Sequence, residues 1–266
     1  MRILPGMTGN PGPRSEFDYQ SNMPAAHRGI KTSGLGDVFR TLKPGAAFHR
    51  SQVDPHVLPV VEPAFTWDPP ERPDAYGSNS VRVWTPGRRA FIGTNCDRVE
   101  VYLGSRHVET ALPDRATYPH LEHPPAVVNL ELLPDDEPEL RLDGYLEDKL
   151  VSVRRFAGDR SQDVLVLRAD DEIIEADGID ATRMVFGIAD RYGELRGSSS
   201  TVVRLTLQGP GVLVGDAQVD LSQAGGAAAI WVRSVRGQAG PVTVRASSIH
   251  YSSVAAVVRT EARSAE

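Results

Sequence analysis

The sequence holds a single cysteine, Cys96, in 266 residues, so no intrachain disulfide staples the fold. Set at the start of a strand, Cys96 reads as a small buried hydrophobe rather than a reactive thiol. No apolar run approaches the ~20 residues of a membrane-spanning helix, so no membrane span is expected. The first residues, Met1 to Gly6, carry one charge and no hydrophobic core, so no secretory leader is expected and the cytoplasm is the expected location. Basic charge is in deficit, with 29 Lys and Arg against 35 Asp and Glu and a formal net charge of −6. Phosphate binding wants a basic face, which argues against nucleic acid as a partner. Missing too are a Gly-x-Ser-x-Gly nucleophile turn, a Gly-x-Gly-x-x-Gly fingerprint and a P-loop. Neither Ser-His-Asp chemistry nor a nucleotide cofactor has a motif to rest on.

Turn residues and alternation are what the chain does have. Gly (24) and Pro (20) are frequent, which suits many short strands more than long helices. Residues 1–28 are rich in Gly, Pro, Asn and Ser without periodicity and read as disordered or irregular. The best helix signal lies in 36–52, where Pro44 suits the first turn of a short helix over 44–52 with Phe48 on its apolar side. Residues 53–79 form a Pro-rich connector with a strand-like piece at Val57–Val61. Strands are then predicted at about 81–85, 90–94, 98–103, 125–130, 139–144 and 149–156. The clearest is Arg98–Leu103, where Val99, Val101 and Leu103 alternate with Arg98, Glu100 and Tyr102 before a Gly104-Ser105 turn. After a polar break at Gly158–Asp163 a second series follows: 164–167, 183–188, 202–207, 212–214, 228–232, 242–246 and 254–258. Each series has the size of an immunoglobulin-like sandwich.

Three stretches, in order, resemble family 2 glycoside hydrolases, the β-galactosidase and β-glucuronidase relatives. The first is Gly34-Leu35-Gly36-Asp37 followed by Lys43-Pro44-Gly45-Ala46-Ala47-Phe48-His49-Arg50-Ser51-Gln52. It is similar to the end of that family's catalytic barrel, with Gly36 and His49 departing from the usual residues. The second is Asn95-Cys96-Asp97-Arg98-Val99-Glu100-Val101-Tyr102-Leu103-Gly104, which resembles a hairpin of the sandwich that follows the barrel. The third is Ala176-Asp177-Gly178-Ile179-Asp180 with Asp190 and Gly193, then Gly209-Pro210-Gly211-Val212-Leu213-Val214-Gly215. It resembles the family's last immunoglobulin-like domain.

The resemblance implies an all-β chain: two tandem immunoglobulin-like β-sandwiches, at 80–160 and 161–260, preceded at 29–52 by a helical remnant of a barrel end. The parent reaction it implies is hydrolysis of terminal β-glycosidic bonds. In that family both catalytic glutamates lie upstream of everything in this chain, so no residue here inherits a catalytic role. The N-terminus looks like an arbitrary start, as in a truncated or split gene, and the isolated chain is expected to be inactive. The implied partner is the missing catalytic barrel, in cis in the parent or on a separate chain. A homo-oligomer and a carbohydrate stay open as further partners. The alternative from another class is a stand-alone carbohydrate-binding or adhesive immunoglobulin-like protein. A row of exposed aromatics on one sheet would favour the alternative, and an apolar patch around 29–60 would favour the fragment.

An independent site would have to come from other residues, and each has a plainer reading. Asp135-Asp136-Glu137 and Asp170-Asp171-Glu172 flank strands and read as solvated turns. Asp177, Asp180 and Asp190 could hold calcium but suit turns that accept local backbone N–H groups. His120 and His123 stand three apart in a Pro-flanked loop without a third metal ligand near. Trp231 reads as core, Trp84 as core or interface, and Trp67 as a plug between modules. Tyr102 is on the polar face of its strand, and a sugar platform at any of these four aromatics is the lesser reading. No catalytic, cofactor-binding or metal-binding residue is therefore assigned.

Overall fold

The structure is a computed structural model that describes residues 35–36, 39–67, 87–130, 132–133, 136–197, 199, 201–222, 224 and 226–262. The chain divides into two compact units, Met1–Ser161 and Gln162–Glu266. No helix among the described residues is long and apolar enough to cross a membrane.

In the first unit a 3-10 turn, Pro44–Ala46, runs into a one-turn helix, α1 (Ala47–Arg50). Strands β1 (Val61–Pro63), β2 (Gly87–Thr94), β3 (Arg98–Leu103), β4 (Arg106–Ala111), β5 (Ala126–Leu130), β6 (Glu139–Leu146) and β7 (Lys149–Ala157) follow. They form a three-stranded sheet, β1-β2-β5, and a four-stranded sheet, β4-β3-β6-β7. Period-two side chains explain the sandwich. Val99, Val101 and Leu103 of β3 are sealed against Ile92 of β2, Val128 of β5 and Leu140 and Leu142 of β6. Two tight turns set the register of the four-stranded sheet. Gly104 turns at φ 56° between β3 and β4, a left-handed conformation that costs glycine little. Glu147 and Asp148, both at positive φ, join β6 to β7. Such a two-residue turn usually takes Asn or Gly. Here Asp97 supports it by accepting the Glu147 N–H at 2.7 Å, and Arg98 holds Asp148 at 2.6 Å.

The second unit carries β8 (Val164–Ala169), β9 (Ile173–Glu175), β10 (Ala181–Ala189), β11 (Val202–Gln208), β12 (Gly211–Val214), β13 (Gln218–Asp220), β14 (Ala227–Ser234), β15 (Gly240–Ser247) and β16 (Val254–Glu261). One sheet is ordered β12-β14-β10-β8 and the other β13-β11-β15-β16-β9, with β9 parallel to β16. Met184, Phe186, Ile188, Ile230, Val232, Val242 and Val244 are fully buried on the inner faces. Arg196 and Asp163 form a buried two-point ion pair at 2.9 and 2.5 Å.

Several details differ from the expectations above. The helix ends at Arg50, not at residue 52. Residues 55–57 form a turn, and the extended piece is Val61–Pro63. Strands β4, β9 and β13 are not signalled in sequence, because β9 and β13 are only three residues long and β4 mixes polar and apolar side chains on both faces. Trp231 is half-buried rather than core: Ile230 and Val232 take the inward positions, and the intervening residue must point out. Trp67 sits inside the core of the first unit, with its indole N–H on the Pro138 carbonyl at 3.1 Å, so it is not a plug between modules. The expected strand 81–85, Trp84 and the whole of 1–28 lie outside the described residues.

Candidate functional site

The corner Thr94-Asn95-Cys96-Asp97 joins the two sheets of the first unit, and its side chains act on the backbone. Thr94 Oγ1 accepts the Cys96 N–H at 3.0 Å. Asn95 is buried at 4% exposure, and its amide is fully used. Oδ1 accepts the Val60 N–H at 2.7 Å, while Nδ2 donates to the carbonyls of Val53 and Leu58, each at 2.9 Å. Its own N–H donates to the Val60 carbonyl at 3.4 Å. One side chain thus pins both ends of the connector 53–60 to the sandwich. Burial pushes the Cys96 thiol above its ordinary pKa, which keeps it protonated and inert.

The segment before that corner is packed. Phe48 is 7% exposed and meets Phe91 edge-on at 6.0 Å between ring centres, in a small core with Ala47, Ala64 and Tyr118. Strand β2 alternates Ala90 and Ile92 into the main core with Phe91 to the other side, so α1 covers the outer face of β2. Gly93 makes the approach close: a Cβ there would stand 2.4 Å from the Ala47 carbonyl oxygen. Beyond the helix, Gln52 donates to the His123 carbonyl at 2.6 Å and accepts the His123 N–H at 3.3 Å. Arg50 pairs with Glu62 at 2.6 Å. Elsewhere the segment exposes large apolar groups. Leu35, Leu42, Val53, Val57 and Leu58 are 40, 52, 37, 81 and 49% exposed.

The other candidates resolve into local structure. Asp177 Oδ1 accepts the amides of Ile179 and Asp180, Asp180 accepts those of Glu175 and Ala181, and Asp190 those of Tyr192 and Glu194. These hydrogen bonds hold Asp177 below the usual carboxylate range. Asp170 pairs with Arg183, and Asp171 bonds Thr182. Asp136 is more enclosed than a solvated turn: Arg106 grips both its oxygens at 2.6 and 2.5 Å, which lowers its pKa. The backbone of His123 serves Gln52, and no group of three metal-ligating side chains occurs among the described residues. Asp135 lies outside the described residues.

The outer face of β4-β3-β6-β7 is a polar network. Glu100 accepts from Arg98, His107 and Thr110. Burial pushes its pKa up, but those hydrogen bonds win and hold it below the ordinary value. Asp143, directly across from Glu100 on β6, is raised by burial, with Arg141 and Arg155 opposing. Its Oδ1 has no hydrogen-bond partner among the described residues. The Arg141 guanidinium lies 3.9 Å over the Tyr102 ring, with His107 edge-on at 5.0 Å, and Arg98 lies 4.4 Å over Tyr145.

No family model matches the chain. The β-galactosidase of Thermoanaerobacter pseudethanolicus is 29% identical over 257 residues, covering 93% of this chain and 32% of that enzyme. The β-galactosidase of Thermoanaerobacterium thermosulfurigenes is 30% identical over 215 residues, 77% of this chain and 29% of that enzyme. The chain belongs with the accessory β-sandwich region of family 2 glycoside hydrolases. It spans about a third of the length of the curated relatives it matches. Solved structures agree on the fold. A β-glycosidase from Bacteroides vulgatus superposes with a TM-score of 0.64 at 15% identity, over 86% of this chain and 28% of that one. A family 2 β-glucuronidase gives 0.61 at 18% identity, over 89% and 23%.

Proposed function

We propose that this chain braces the catalytic part of a β-galactosidase-type glycosidase, whose reaction is hydrolysis of terminal β-linked sugars, and that it does not carry out that reaction itself. The observation that carries the reading is the run of exposed Leu35, Leu42, Val53, Val57 and Leu58 on a segment whose other side is packed into the sandwich. Large apolar side chains held outward on a packed segment suit a protein partner. The two thirds of the relatives that this chain does not match supply the natural candidate. A retaining glycosidase needs two carboxyl groups ~5–5.5 Å apart with a sugar between them. The acidic residues singled out in the sequence are instead bound locally: Asp136 and Asp170 by arginines, Asp171 by Thr182, and Asp177, Asp180 and Asp190 by turn amides. A cytoplasmic setting belongs to the same proposal, since the free, buried Cys96 calls for no oxidising compartment.

A stand-alone sugar-binding protein would present open ring faces. Tyr102 and Tyr145 share one sheet face, but Arg141 and Arg98 cover them. The test is direct. Purified chain incubated with nitrophenyl β-galactoside, β-glucuronide and β-mannoside should match buffer. Turnover above background that disappears when Asp143 or Glu100 is replaced would overturn the reading.

A further inference from the structure

Residues 53–58 are firmly built. Asp54 Oδ1 accepts the His56 N–H at 2.9 Å, and the Asp54 carbonyl accepts the N–H groups of Val57 and Leu58, both at 3.0 Å. Pro55 sets the first bend of this turn, and Pro59 holds Leu58 extended. Asn95 ties the carbonyls of Val53 and Leu58 and the N–H of Val60 from beneath. The backbone is therefore satisfied inward while Val53, Val57 and Leu58 point outward, Val57 at 81% exposure. A loop that only connected two domains would need neither the clamp nor three large apolar side chains on its solvent side.

We infer that 53–58 is a preorganised docking ridge, that Asn95 is its positioning residue, and that it seats on the catalytic part of the parent enzyme. The inference rests on the accessory-region reading and adds where and how the contact is made. Its occupant follows from length and chemistry. Some two thirds of the relatives' chain lies outside the match, and the ridge presents Val53, Val57 and Leu58 beside His56, while Asp54 Oδ1 accepts the His56 N–H within the turn. Rigidity matters because ordering a loop on contact costs affinity, and the clamp removes that cost beforehand.

Two measurements test it. In the full chain, hydrogen exchange at the Val57, Leu58 and Val60 amides should quicken at least tenfold in Asn95→Ala, while Val99, Val101 and Leu103 stay protected. Equal exchange in both proteins would overturn the clamp. For docking, this chain replaces the matching third of the Thermoanaerobacter pseudethanolicus β-galactosidase. The hybrid should hydrolyse nitrophenyl β-galactoside, and Val57→Asp should shorten its half-life against heat at least tenfold. Ile249→Asp, at an exposed position of the second unit, should not. An active hybrid indifferent to Val57→Asp would overturn the ridge and leave the accessory-region reading standing. An inactive hybrid whose 53–60 amides exchange as in the free chain would overturn both.

Discussion

Val101 is sealed between the sheets, while Glu100 beside it lies outside under three donors. Replacing Val101 by Ala removes buried methyl groups from a core that cannot fully close, at a cost of about 1–3 kcal/mol. Glu100→Ala breaks contacts that water can largely replace, so its cost should stay within about 1 kcal/mol. Urea melts of the two variants separate them, and a larger loss at Glu100 would mean that the register of β3 is wrong. Asp143 makes a second test, through pH. Its folded pKa is raised by burial, so the folded state holds the proton more tightly than the unfolded chain. Its contribution favours folding at acid pH and is lost as the pH rises through the raised value. Asp143→Asn should therefore raise the urea midpoint at pH 7, with the gain shrinking as the pH falls towards the range where Asp143 is protonated. Asp136 has the opposite sign: Arg106 depresses its pKa, so its stabilisation is present at neutral pH and fades only under stronger acid. A midpoint for Asp143→Asn that is lower at every pH would show that the contact with Arg141 outweighs the desolvation.

Helix α1 is one turn long, too short to persist alone, so its stability comes from β2 beneath it. Gly93 permits that contact, and the atoms a side chain would strike belong to the Ala47 backbone, which cannot rotate away. Gly93→Ala should cost about 2 kcal/mol or more, as overpacking does, and should expose the bond after Arg50 to trypsin well before the bonds inside β3. Unchanged cleavage at Arg50 would mean that the helix is held by something else. This element also shows what the sequence could and could not tell. Pro44 in the first turn and the apolar Phe48 mark the helix, but nothing in the sequence shows that β2 is its partner. Phe91 lies within an unbroken buried run, where alternation does not reveal that both faces of a strand are covered. Likewise Arg98–Leu103 was legible because one face is dry and the other wet, whereas Arg106–Ala111 was not, being an edge strand whose inner side is only partly closed. Asn95 was visible as a motif residue. Its role as a clamp was not, because its three acceptors and donors lie 35–42 positions away.

At the scale of the molecule the question is where the first sandwich begins. Composition places the boundary near residue 80, after the prolines. Packing places it near residue 43. Val61 and Trp67 are 2 and 4% exposed within the same core as Val99 and Leu142, and β1 completes the smaller sheet. Gly144 admits Val61 so closely that a Cβ would stand 2.5 Å from its Cγ2. Removing residues before 87 would leave the cavity of Trp67 and strand β2 without its edge partner, a loss of several kcal/mol in a domain whose whole stability is of the order of 5–15 kcal/mol. A chain of residues 40–161 should melt in one cooperative transition, whereas a chain of residues 87–161 should show no cooperative melt and should bind hydrophobic dyes. If the shorter chain melts cooperatively at a similar temperature, the connector is a passive tether. Retained folding only in the longer chain would mean that the Pro-rich segment before β2 is built into the first sandwich. The apolar ridge at 53–58 would then be presented by a fixed scaffold rather than by a hinge.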